Sequence, residues 1–182
     1  MPEKITRDVL ESHLACRYKC HLKLAGQQGS KSNYESWLTD LRAREKVGSI
    51  ANLIAHHRER EIIRETPLVV STLKTGPAVI LDGTFESERF SLRFDGLIKV
   101  QGPSDLGQFH YVPVLFHEGQ VQATQRVLVE LFCLVLQELQ GRAPSTALIW
   151  RSANKPATFT TAGNFPYHCT LHAGMNGTVV VH

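Results

Sequence analysis

Apolar residues at Val9, Leu10, Leu14, Tyr18 and Leu22 recur at helical spacing, which predicts one helix over residues 6 to 26. Thr6 stands where an N-cap belongs, and Ile5 and Leu10 are placed as a hydrophobic staple. A polar stretch from 26 to 33 reads as a loop. Trp37, Leu38, Leu41, Ile50, Leu53, Ile54, Ile62 and Ile63 then fit one or two further amphipathic helices, closed by Pro67.

Beyond Pro67 the period shortens. The runs LVVSTL, AVILDGTF, RFSLRFDGLIKV and FHYVPVLF, separated by TGP, ESE and QGPSDLG, predict a meander of three or four strands. From 121 to 140 the helical period returns, with Val127, Leu128, Leu131, Phe132, Val135 and Leu139 on one stripe and Gly141 at a C′ position. ALIW after Pro144 reads as a buried strand. This order predicts an α/β (α+β) fold, a central mixed β-sheet flanked by helices.

At 182 residues, 42% hydrophobic and 20% charged, the chain has the length and composition of one globular domain with a small appendage. A formal charge of +3 permits nucleic-acid contact without requiring it. No stretch approaches the ~20 apolar residues of a membrane span, and the opening MPEKITRDVLESHL is charged throughout. The expectation is a cytoplasmic protein with no membrane partner. Cys16, Cys20, Cys133 and Cys169 lack two-by-two zinc spacing and are expected as free thiols. The composition breaks near the end: residues 156 to 182 contain no Asp, Glu, Lys or Arg. Two units are therefore expected, 1–153 and 156–182.

In the main body the candidate for chemistry is Asp95, which closes an apolar run before Gly96. A carboxylate there suits a hard divalent cation, which takes oxygen ligands. The alternative is a strand-end Asp making a turn.

With the stretches ITRDVLESHLACRYKCHLKL, FDGLIKV and QRVLVELFCLVLQELQG in this order, residues 5 to 151 resemble the RecB-like branch of the PD-(D/E)XK nuclease superfamily. The likeness lies in a helix with Cys16, Tyr18 and Lys19, an Asp at 95, a hairpin partner strand and a helix starting near Gln125. It implies a restriction-endonuclease-like fold, DNA as partner within a larger helicase–nuclease assembly, and Mg²⁺ or Mn²⁺ at Asp95. It also implies His57 or His56 as a further ligand and Gln125 as a nucleic-acid contact. The family's E-x-K pair falls on Pro113 and Leu115, neither of which binds metal or positions water. Glu118 as ligand, with Gln120 in place of the lysine, is the substitute pair. The implied function is a truncated, degenerate nuclease domain with weak or no hydrolysis; the alternative is a non-catalytic interaction module.

In the tail, Cys169, His172 and Met175 stand at steps of three between two β-rich runs. Thiolate, imidazole and thioether are the ligands copper prefers. Residues 158 to 181 resemble the C-terminal ligand loop of the cupredoxins, which implies copper and electron transfer as a further alternative. A second histidine is then needed, and His110 or His117 is the candidate.

Overall fold

The computed structural model describes residues 4–27, 29–30, 33–55, 57–117, 120–151, 154–158, 163–168 and 176–181, with the backbone alone from 151 onward. Its helices are α1 (Arg7–Ala15), α2 (Arg17–Leu24), α3 (Asn33–Ile54), α4 (Val70–Lys74) and α5 (Ala123–Gln140). The strands are β1 (Ile5–Thr6), β2 (Ile62–Arg64), β3 (Val79–Leu81), β4 (Thr84–Glu86), β5 (Phe90–Arg93), β6 (Gly96–Ser104), β7 (Gly107–Phe116), β8 (Leu148–Arg151), β9 (Asn154–Thr158), β10 (Gly163–His168) and β11 (Asn176–Val181).

A six-stranded mixed sheet runs β2-β3-β6-β7-β8-β9. Strand β6 runs antiparallel to both of its neighbours, β3 and β7, and β8 returns parallel to β7 after α5, with Val114 opposite Leu148. One face packs Ile80, Leu97, Tyr111, Leu115 and Ile149 with the stripe Leu128, Phe132, Val135 and Leu136 of α5. On the other, Leu53 of α3 joins Val79 and Leu81, with Ile50, Ile54, Ile98 and Phe116 around them. Helices therefore cover both faces, as the periodicity predicts. Gly141 ends α5 at φ 63, the left-handed geometry that favours glycine.

Four local expectations change. The single N-terminal helix breaks at Cys16, whose backbone is extended at φ −162. Spacing of strictly four residues drifts by ~40° per step around a helix, so a stripe of this kind cannot stay on one buried face. Ile62 and Ile63 lie in a strand, with Ile62 opposite Val79; their distance from Ile54 mimics a helical period. LVVSTL contains α4 in place of a strand: Leu68 before the helix and Leu73 within it are buried, whereas the β-branched Val69 and Val70 are exposed and gain nothing from a sheet. QGPSDLG, expected as a separator, carries β6 on to Ser104.

The remaining difference concerns the corner of the sheet. AVILDGTF and RFSLRFDGLIKV each split in two, at Asp82-Gly83 and Phe94-Asp95. Both chains leave the large sheet there and enter a small one ordered β1-β5-β4. The two corners are bonded to each other: Asp82 N–H donates to Asp95 O at 3.2 Å and Phe94 N–H to Gly83 O at 2.8 Å. A Cβ on Gly83 would stand 2.6 Å from Cδ2 of the buried Leu68, so this corner needs glycine for close approach.

At the C-terminal end, β9 pairs antiparallel with β8, so the main sheet continues across the compositional boundary at 153–156. β10 and β11 form a separate antiparallel pair, with Phe165 opposite Val179. Among the described residues no helix is long and apolar enough to cross a membrane.

Candidate functional site

Asp95 lies at the corner because Gly96 opens β6 and Phe94 is fixed to Gly83. Three elements bring partners to its carboxylate. The pairing of β1 with β5, Thr6 opposite Ser91, sets the first turn of α1 beside the corner. Arg7, following the Thr6 N-cap, then donates from Nη1 to Asp95 Oδ1 at 3.0 Å and from Nη2 to Oδ2 at 3.3 Å. From α3, Lys46 Nζ reaches Oδ1 at 2.7 Å. At the end of β7, the Phe116 N–H donates to Oδ2 at 3.1 Å. Asp95 is thus buried, with its side chain 6% exposed, and both oxygens are engaged by charged or backbone donors.

The ion pairs extend in both directions. Arg7 Nε contacts Glu11 Oε1 at 2.7 Å. Lys46 also approaches Asp82 Oδ1 at 3.5 Å, and Arg93 reaches the same oxygen at 3.1 Å. The sequence Glu11, Arg7, Asp95, Lys46, Asp82, Arg93 alternates in sign and sums to zero. Arg7 lies over the Phe132 ring at 5.8 Å, and Lys46 lies 5.9 Å from the Phe116 ring. Burial pushes the Asp95 carboxyl upward, and the Arg7 and Lys46 charges and hydrogen bonds overcome this, leaving it below the usual carboxylate range. Arg7 is raised: burial opposes its charge, but Asp95 and Glu11 favour it more.

These side chains line an open cleft of about 480 Å³, together with Thr39, Arg42, Ala43, Phe116 and His117. A carboxylate so firmly ionised and occupied is a poor general base near neutrality. Cys133 is no better as a nucleophile: burial, with Glu130 adding, pushes its thiol up to about 12.

Of the residues singled out by sequence, Asp95 alone sits at the centre of this network. His57 follows α3, half-buried, and is not among the side chains lining the cleft. Gln120 is exposed in the connection to α5, its carbonyl 3.0 Å from His117 Nε2. Gln125 caps α5 by accepting from the Gln122 N–H at 2.9 Å, a reciprocal box that holds the helix start. Pro113 and Leu115 are buried in β7. His110 is buried in the same strand, with Nδ1 lacking a hydrogen-bond partner, whereas His117 borders the cleft. His56, Glu118, Cys169, His172 and Met175 lie outside the described residues.

Both Asp95 oxygens are engaged, the E-x-K positions are apolar, and among the described residues no three His, Cys, Asp or Glu side chains are grouped to hold an ion. Sequence reasoning missed Arg7, Glu11, Lys46, Asp82 and Arg93. One signal was present: Leu81-Asp82-Gly83 and Phe94-Asp95-Gly96 repeat an apolar-Asp-Gly pattern, and both copies are corners of the sheet. Compared with known proteins, the chain matches no family model, no curated protein and no solved structure.

Proposed function

We propose that residues 1–153 form a degenerate nuclease-type domain of the RecB-like kind that associates with DNA and hydrolyses phosphodiesters weakly or not at all. The observation carrying this reading is the occupation of Asp95: the carboxylate expected to hold a metal is paired with Arg7 and Lys46 instead. An ammonium between Asp95 and Asp82 supplies the positive charge a divalent ion would bring, but without the Lewis acidity that activates water. The order of elements supports the kinship, because Asp95 precedes β6, β7 is its hairpin partner and α5 follows. Arg42 and Arg93 in the cleft support a polyanionic partner. Such a domain acts by binding, alone or as an interaction module of a larger helicase–nuclease assembly.

The test is cleavage of plasmid and oligonucleotide DNA with Mg²⁺ or Mn²⁺, alongside a mobility-shift measurement. Cleavage near background, unchanged in Asp95→Ala, with DNA retention at low salt, is expected. Robust metal-dependent cleavage that Asp95→Ala abolishes overturns the reading, and its loss in Glu118→Ala would assign that residue as ligand.

Copper binding through Cys169, His172 and Met175 is the second reading. It draws on the pairing of β10 with β11, which brings together the two ends of the segment carrying these residues.

A further inference from the structure

The Cys16 break sets off α2, an eight-residue helix, RYKCHLKL, whose charge is of one sign. No Asp or Glu occurs from residue 12 to 34, a stretch that contains Arg17, Lys19, Lys23 and Lys31. At 100° per residue, Leu24, Arg17, His21 and Tyr18 follow one another around an exposed arc; Lys19 is exposed as well and stands about 100° beyond Tyr18, past the half-buried Leu22 and next to Lys23. Cys20 and Lys23 occupy the opposite side, where Cys20 is buried and Lys23 pairs with Asp8 of α1. Tyr18 is 68% exposed, the joint highest value among the large hydrophobic residues of the described chain. The side chains of Arg17, Lys19 and His21 have no hydrogen-bond or ion-pair partner among the described residues.

Local stability does not account for this arrangement. Arg17 and Lys19 lie in the first turn of α2, where the helix dipole disfavours cations, and the turn contains no acidic residue. A polyanion at this turn reverses the sign of that effect. The exposed aromatic ring between the two cations adds a platform on which a base stacks, a pairing that recurs in single-strand binding. A lipid surface fits less well, since eight residues with charge spread over the exposed arc offer little apolar face to insert.

We propose that α2 is a docking helix for single-stranded DNA, with phosphates on Arg17 and Lys19 and a base stacked on Tyr18. The proposal rests on the DNA-associated reading above and adds where and in what form the strand is held.

Fluorescence anisotropy of the full chain with labelled oligo(dT) of about 20 nucleotides tests it. Arg17→Ala/Lys19→Ala is expected to weaken binding about tenfold and to lower the slope of log K against log salt by about 1.4, two single-strand phosphates. Tyr18→Ala weakens binding, whereas Tyr18→Phe keeps the stacking face and binds as the wild type does. Circular dichroism and melting temperature should be unchanged in each variant, because the substituted side chains are exposed. If the wild type binds oligo(dT) and these variants match it in affinity and slope, the docking helix is refuted while the DNA reading stands. If the wild type binds no DNA, both fall. Binding to phosphatidylserine vesicles that the variants lose, with DNA binding intact, makes α2 a lipid contact and overturns the proposal.

Discussion

The Lys46 ammonium lies 2.7 Å from Asp95 Oδ1 and 3.5 Å from Asp82 Oδ1, so one residue of α3 ties together the two Asp-Gly corners of the sheet. The two corners flank the antiparallel pair β4 and β5 and are adjacent in space because both strands change sheets at the same height. Two carboxylates brought this close repel unless a cation separates them. Lys46 provides that cation from the helix covering the sheet, and Arg7 provides a second from the opposite side.

Asp95→Ala leaves two partly buried cations without their counter-charge and is expected to cost about 3 kcal/mol, read by urea denaturation. Lys46→Ala should cost less, because its side chain is 33% exposed. A loss in Asp95→Ala no larger than in Lys46→Ala would refute the central place given to the carboxylate.

Stability should fall in two stages as the solution is acidified. Burial, with the nearby Arg142 charge adding, lowers His110 below its ordinary 6.5, so the native state binds fewer protons than the unfolded chain. Stability is therefore lost as pH falls from 6.5 toward the lower native value. Asp95 is likewise lowered from an ordinary 3.8, and its contribution is complete above that value and lost as pH falls further. Denaturation midpoints measured from pH 8 to pH 2, on the approximate scale over which these groups titrate, check the order. His110→Gln should remove the upper stage and leave the lower one.

Phe132 is fully buried, stacks on Phe94 with ring centroids 4.0 Å apart and lies under Arg7. Phe132→Ala is expected to cost about 4 kcal/mol in stability. It should also free the Arg7 guanidinium, so that hydrogen exchange of the Phe116 amide, which depends on the position of Asp95, accelerates. Unchanged exchange at Phe116 with the stability loss intact would separate the core from the ion-pair network.

Adding Cu²⁺ to the purified chain should give loose binding without the intense absorption near ~600 nm of a trigonal Cys-His-His site. A strong band that disappears in Cys169→Ser would favour the copper reading over a bystander hairpin. His110→Gln and His117→Gln would then test which histidine completes the site.

Sequence determined the elements wherever one period persists. Eighteen residues of α5 keep a single apolar stripe, so its face, its extent and its terminating Gly141 follow from local chemistry. The β-rich runs that make the antiparallel pair β6 and β7 were legible as well, but the split of the run around Asp95 into β5 and β6 was not. Short or ambiguous segments were decided by packing. Leu73 is buried from the short helix α4 while Val69 and Val70 stay exposed, and Ile62 pairs along the edge of β3, which made β2 a strand. The site depended on tertiary structure in a further sense. Asp95 is visible as a carboxylate at the end of a run, but nothing near it in sequence says whether its partner is water, a metal or a lysine. Arg7 is 88 residues away and Lys46 is 49 away. Only the docking of α1 through β1 and of α3 onto the second face of the sheet places those cations on its oxygens.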